Sequence, residues 1–320
     1  LKRSQTNKIV NWKICHWKRW IVCGIRLKVY DIVQVKTRLF NNKIAIWHFI
    51  AVLTMCVWGT TFISTKVLLQ YGVSPADIFL LRFLQAYVGI LFVSHSRLWC
   101  GRLQDELLML TLGVCGGSLY FLTENTALRY TLAGNVSLEV CTAPLITALL
   151  ASLIRKERLG WRLWGGSVIA LAGVSLIVVQ SNVTFHFNIV GDLLAISAAI
   201  LWSVYQLLTN PMTEKYGILF TTRKVFGYGI LTILLYMFFA GSSVPQWADL
   251  CSSIVIGNLL YLGIIASLVC FMTWNKVMRR IGSVNSANYI YLNPVVTVCF
   301  SSIILHEPIT LSTIMGGAAI

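Results

Sequence analysis

From residue 44 onward the sequence is a succession of long apolar stretches, and these restrict the fold more than any other feature. They fall at 44–69, 77–95, 107–128, 132–154, 162–180, 190–209, 219–239, 254–275 and 284–305, and a tenth opens near 309. A bilayer core about 30 Å thick is crossed by about 20 residues of helix. Lipid offers no partner to a bare backbone amide, so only helices or closed barrels can cross it. Stretches of this length therefore predict an all-α integral membrane protein with about ten transmembrane helices. About a dozen residues remain for the tenth, so the last helix is expected to be truncated at residue 320.

Composition agrees with that class. Hydrophobic residues make up 57% of the chain and charged residues 12%, against about 25% charged in a soluble domain. The mean hydropathy is +0.75. Disordered, collagenous and disulfide-scaffold classes are excluded. A net charge of +15 would suggest nucleic acid in a soluble protein, yet 11 of the 26 Lys and Arg lie before residue 44. Nucleic acid is therefore not an expected partner; the lipid bilayer is. The basic extension 1–43 carries Trp12, Trp17 and Trp20 among Lys13, Lys18, Arg19 and Arg26. Such a segment suits an anionic membrane surface; the other reading gives it no role. The first Met is Met55, so an unusual start, a processed product or a translated upstream stretch is expected. The nine cysteines form no CxxC pair and no metal spacing, and most read as small apolar side chains.

Charge then orients the spans, because Lys and Arg gather in short cytoplasmic loops. The extension, the loop with Arg97 and Arg102, that with Arg155, Lys156, Arg158 and Arg162, that with Lys215, Arg223 and Lys224, and that with Lys276, Arg279 and Arg280 hold 23 of the 26 basic residues. The connections 70–76, 181–189, 240–253 and 306–308 hold none. Both termini are thus expected in the cytoplasm. The expected location is the bacterial cytoplasmic membrane, with the protein multi-pass.

Shifting the chain by 150 residues aligns 121–170 with 271–320 at 11 identities in 50 positions. The matches include Asn125 with Asn275, Pro144 with Pro294, Thr147 with Thr297 and Glu157 with Glu307. An offset of 144 places Trp58 over Trp202. Each unit holds five spans, and an odd number reverses the next unit in the membrane. The loop around Glu157 carries four basic residues and that around Glu307 none, as inversion requires. The units are 44–180 and 190–320. Inverted repeats of this kind are characteristic of secondary transporters, with the substrate site at the midplane between them.

These residues resemble the drug/metabolite transporter superfamily, specifically its ten-helix permeases built from two EamA-type repeats. The resemblance is carried by Trp58, Gly59, Thr60, Thr61 and Phe62, by the run Asn125 to Thr131, and by Ala143, Pro144 and Leu145 leading to Lys156, Glu157, Arg158 and Leu159. In the second copy it is carried by Asn293, Pro294, His306, Glu307 and Pro308. It covers about residues 44–320. It implies a secondary carrier, most often an exporter of amino acids, other metabolites or toxic organic compounds.

Candidate site residues follow from what is unfavourable in lipid. A charge at mid-bilayer costs about 2.5 to 3.5 kcal/mol on insertion scales. Glu139 lies well inside the fourth helix and is a candidate for binding a proton or a cationic substrate group; its alternative is a stabilising hydrogen bond between helices. Lys66, Arg82 and Glu124, with Arg129, Asp77 and Asp192 nearby in the topology, could form an outer gate of ion pairs. Alternatively Lys66 and Arg82 snorkel to the headgroups. Trp58, Trp202, Tyr205, Gln206, Trp274, Asn275, Tyr289, Tyr291 and Asn293 could line a cavity for an amphiphilic solute, although a single aromatic also serves as an interfacial anchor. Asn125, Asn275 and Asn293 must find partners across helices or in a wet cavity. Pro144 and Pro294 predict paired helix bends. Gly113 and Gly117 form a GxxxG spacing suited to close packing.

A membrane enzyme is the rival reading from another class, and it needs a nucleophile with a base, or a metal cluster. No GxSxG, HExxH or Walker A motif occurs, and the five histidines lack ligand spacing. No catalytic residue, metal or cofactor is expected. A lipid flippase or sensor subunit is a further alternative. The expected partner is a small-molecule substrate, joined by protons if transport is coupled to them; facilitated exchange without protons is the alternative, and oligomeric state is not legible.

Overall fold

A computed structural model describes residues 44–95, 98–155, 189–241 and 252–306, with isolated positions 165, 166, 168, 169, 172 and 315. The expected fifth and tenth spans, the extension 1–43, and the turns at Glu157 and Glu307 lie outside the described residues. What is described is entirely helical: α1 (Ile44–Gln70), α2 (Pro75–Leu91), α3 (Leu103–Tyr130), α4 (Ala133–Ile154), α5 (Ile189–Tyr216), α6 (Ile218–Phe239), α7 (Ser253–Ile281) and α8 (Ser283–Ile304). All but α2 are long and apolar enough to cross a membrane. At 17 residues, α2 reaches about 26 Å at 1.5 Å per residue. Phe92, Leu153, Phe238, Phe239 and Ile303 stand exposed around the unit Phe49–Ile320. In water such a surface would aggregate; in a bilayer it is solvated.

Several boundaries differ from those expected from hydropathy, each for a local reason. α2 starts at Pro75 rather than 77, because Ser74 caps it. The Ser74 hydroxyl accepts from the Asp77 amide at 3.2 Å and donates to the Asp77 carboxylate at 2.6 Å, and proline suits the first turn. α5 continues through Pro211 to Tyr216 instead of stopping at 209. Gly217 ends it, at φ 85°, a left-handed conformation that glycine adopts without a Cβ clash. α7 runs six residues past 275 and is ended by Gly282 at φ 87°. Lys276, Arg279 and Arg280 therefore sit in its last turns, where cations complement the helix dipole, and not in a loop.

The two halves share their irregularities. α3 is wound as a π-helix over Val114–Ser118, and α7 over Tyr261–Val269, positions that overlap at the 150-residue offset. α4 is interrupted by a turn at Cys141–Thr142 just before Pro144, and α8 by a 3-10 turn at Asn288–Tyr291 just before Pro294. The Cys141 thiol donates to the carbonyl of Ile290 at 3.2 Å, joining one break to the other. α4 and α8 cross so that the first part of each packs on the second part of the other. α4 lies on α5 through the Ser203 hydroxyl, which donates to the Ala143 carbonyl. α8 lies on α1 through the Thr297 hydroxyl, which donates to the Gly59 carbonyl at 2.7 Å. Gly59 and Ser203 are themselves repeat mates.

One end of the bundle is tied more strongly than the pattern predicts. Asp105 at the start of α3 accepts from Lys215 and from the Tyr216 hydroxyl, each at 2.6 Å. Its neighbour Glu106 accepts from Lys224, from the Tyr228 hydroxyl and, at 2.9 Å, from the Cys100 amide. The positions 150 residues later are Val255 and Ile256, so this polar tie is not duplicated in the second repeat. The glycines of α3 allow the close approach: a Cβ on Gly113 would lie 2.5 Å from the Cβ of Tyr228, and Gly117 backs onto the Gly229 Cα.

Candidate functional site

Where the halves meet, the side chains leave a narrow cavity. α1 contributes Trp58, Thr61 and Phe62, α2 contributes Arg82, and α3 contributes Tyr120, Phe121 and Glu124. Val140 of α4, Trp202 of α5, Phe271 of α7, and Ile290 and Asn293 of α8 complete it. The walls are aromatic rings packed edge to face. Trp58 and Trp202 have centroids 5.3 Å apart at 87°, and Trp58 and Phe271 are 5.7 Å apart. The Trp58 indole is fixed by a 2.9 Å hydrogen bond to the Ala266 carbonyl in the π-wound part of α7. Winding that segment as a π-helix frees a carbonyl to accept it.

Three polar groups interrupt these walls. Arg82 is buried, its Nε donating to the Ser267 hydroxyl at 2.9 Å and its guanidinium lying 4.3 Å above the Phe121 ring. One edge and one face of the guanidinium are thus engaged, and the cation is oriented at the cavity wall. Glu124 has Arg82 and Tyr120 as its electrostatic neighbours, and its Oε2 is buried without a hydrogen-bond partner. Asn293 Oδ1 is likewise buried and unpartnered. A cation, a carboxyl and an amide oxygen therefore face one apolar chamber.

The structure separates the expected site residues. Trp58, Trp202 and Asn293 line the cavity, together with Arg82 and Glu124, which the sequence pattern had grouped with Lys66 as an outer gate. Lys66 lies elsewhere: its amine donates to the carbonyls of Leu128 and Thr131 at 2.6 Å, capping the end of α3. Tyr205, Gln206 and Asn275 are packed behind the cavity. There the Tyr205 hydroxyl donates to Asn275 Oδ1 at 3.1 Å, and Asn275 Nδ2 donates to the Thr222 hydroxyl at 2.9 Å. Asn125, the repeat mate of Asn275, donates to the Pro75 carbonyl at 3.1 Å; each amide ties its helix to the start of the second helix of a repeat. Tyr289 and Tyr291 flank Ile290 in the turn of α8 and are half-buried. Glu139 is buried against Asp192 of α5, with its Oε2 unpartnered, and does not line the cavity. Among the described residues no group of His, Cys, Asp and Glu has the arrangement of a metal site.

Thr61, Phe62, Tyr120, Phe121, Val140, Phe271 and Ile290 were not among the sequence candidates. Phe121 and Phe271 could have been found, since they head the aligned repeat, and so could Thr61 and Phe62, which belong to the motif that begins at Trp58; Tyr120, Val140 and Ile290 carry no signal apart from their helix register.

The comparisons agree with this architecture. The model of the EamA-like transporter family matches residues 45–179 and again residues 189–320. The chain belongs to that family and is a multi-pass membrane transporter. It is 30% identical over 274 residues to a protein of Archaeoglobus fulgidus named "Uncharacterized transporter", covering 84% of this chain and 93% of that one. It is 27% identical over 279 residues to a "Probable terminal-alkyne amino-acid exporter" of Streptantibioticus cattleyicolor, covering 86% and 90%. A crystal structure 19% identical superposes with a TM-score of 0.59 over 87% of this chain and 93% of that one, a likeness of fold.

Proposed function

We propose that the chain is a secondary carrier that exports small zwitterionic solutes, amino acids with apolar side chains foremost, by alternating access between two inverted repeats, 44–180 and 190–320. The observation that carries this reading is the presence of Arg82 and Glu124 in the lining of one aromatic chamber. The oriented guanidinium suits a substrate carboxylate, the free Glu124 oxygen suits an ammonium, and the indole and phenyl walls accept an apolar side chain. The amino-acid exporter among the relatives supports the same substrate class. The charge distribution supports insertion in the cytoplasmic membrane with the N-terminus inside.

Glu139, set against Asp192, is the proposed proton site. Protonation there would give export a means of coupling to the proton gradient. The experiment is counterflow of radiolabelled amino acids, amines and amphiphilic toxicants in proteoliposomes. The expected result is flux for amino acids that falls at least tenfold in Arg82→Met and in Glu124→Gln. Equal flux of amino acids in the wild type and in Arg82→Met would remove the carboxylate anchor from the account.

A further inference from the structure

The repeat offsets divide the cavity into a part on the symmetry axis and a part to one side. Trp58 and Trp202, Phe121 and Phe271, and Val140 and Ile290 are repeat mates, and both members of each pair line the chamber. These pairs mark the axis. The remaining groups lie toward the end of the bundle with the α1–α2 and α3–α4 turns. Phe62, eight residues before the end of α1, and Glu124, six before the end of α3, are the clearest examples.

Their mates lie toward the opposite end. Phe62 corresponds to Gln206, Glu124 to Trp274 and Asn293 to Ala143. None of the three mates lines the chamber, and all three are buried. The image of the chamber is thus present in the second set of helices and is packed shut.

That packing leaves two donors without acceptors. Gln206 Nε2 and Trp274 Nε1 are both buried and unpartnered, although Gln206 Oε1 accepts from Thr147 at 3.5 Å and Trp274 packs 5.4 Å from Trp58. Their sequence neighbours Tyr205 and Asn275 are engaged with each other and with Thr222. A buried N–H with no acceptor is unfavourable, and more so where lipid excludes water. Two of them at mirror positions of a binding chamber point to a ligand that arrives in another state.

We infer that Gln206 and Trp274 form a second substrate site, closed in this conformation, that receives a hydrogen-bond-accepting group of the substrate, a carboxylate or a carbonyl, when the carrier opens at the end bearing the α5–α6 and α7–α8 turns. The inference rests on the alternating-access reading. It adds an asymmetry: the open chamber holds a cation and a carboxyl, whereas its image holds only neutral N–H donors. Substrate is thus gripped by charge on one side and by neutral hydrogen bonds on the other.

The test uses the full chain in right-side-out and inverted vesicles, with a membrane-impermeant maleimide applied to Gln206→Cys and, separately, to Phe62→Cys. Gln206→Cys is expected to react from the face of the α5–α6 turn only, and Phe62→Cys from the other face only. L-Leucine should slow the Gln206→Cys reaction at least fivefold, and 3-methylbutylamine, which lacks the carboxylate, should not. In Trp274→Phe, which deletes the donor and keeps most of the ring, protection of Gln206→Cys should need at least fivefold more leucine. Reaction from neither face, reaction from the wrong face, or equal effects of leucine and the amine would overturn the inference. Absence of flux in the wild type, with the labelling pattern intact, would instead remove the carrier reading.

Discussion

Trp58 and Trp202, separated by 144 residues and equivalent in the two repeats, meet edge to face with their ring centroids 5.3 Å apart. A residue pair related by a two-fold can touch itself only at the axis, so this contact locates the centre of the molecule. Both rings line the chamber.

Trp58→Phe removes the indole N–H that Ala266 accepts while keeping an aromatic ring. A net hydrogen bond is worth about 1 kcal/mol, or about fivefold in an equilibrium. Transport should fall about fivefold with little change in folded yield. Side-by-side flux and detergent-extracted yield check this, and an unchanged flux would separate the indole N–H from function.

The polar tie at one end of the bundle should be a stability element. Glu106→Ala leaves Lys224, Tyr228 and the Cys100 amide without their acceptor. Breaking a largely buried pair from one side costs about 3 kcal/mol or more. Thermal denaturation in detergent should show a clear loss for Glu106→Ala and a smaller one for Asp105→Ala, whose Lys215 partner is 42% exposed. A reversed order would contradict the assignment.

Cys100, between α2 and α3, should resist alkylation at ordinary pH. Burial, with the Glu106 carboxylate beside it, pushes its thiol up to about 11. Because the thiolate is the nucleophile, its reaction with a maleimide should stay slow through pH 8 to 9 and accelerate only as pH approaches 11. A variant retaining this cysteine alone gives the profile directly; a midpoint near the usual 8.5 would show an ordinary thiol.

Glu139→Gln should leave binding in the chamber intact, since Glu139 does not line it, but should abolish the response of export to an imposed proton gradient. Measured at two external pH values, wild-type flux should differ and variant flux should not. A variant that keeps the wild-type difference would take the proton away from Glu139.

Much of this was legible in the sequence because it is written in long-range regularities. Span lengths follow from bilayer thickness, and Pro144 with Pro294 marked the two breaks because proline lacks a donor wherever it sits. The ends of α5 and α7 were not legible from hydropathy. The helices run on through polar residues until Gly217 and Gly282, whose backbone conformation a hydropathy window does not see. Arg82 was read toward the headgroups because a lone arginine in a span usually reaches for water. Its partners Ser267 and Phe121 lie 185 and 39 residues away, and only the packing of α2 against α7 and α3 brings them together. The contact of Glu139 with Asp192 was hidden in the same way.

The most direct test of the central claim, that two repeats of opposite orientation enclose one path, is the sidedness of the turns containing Glu157 and Glu307. Single cysteines at those two positions, treated with an impermeant maleimide in right-side-out vesicles, should react at 307 and remain protected at 157, with the pattern reversed in inverted vesicles. Reaction of both positions from the same face would contradict the inverted architecture and the transport path built on it.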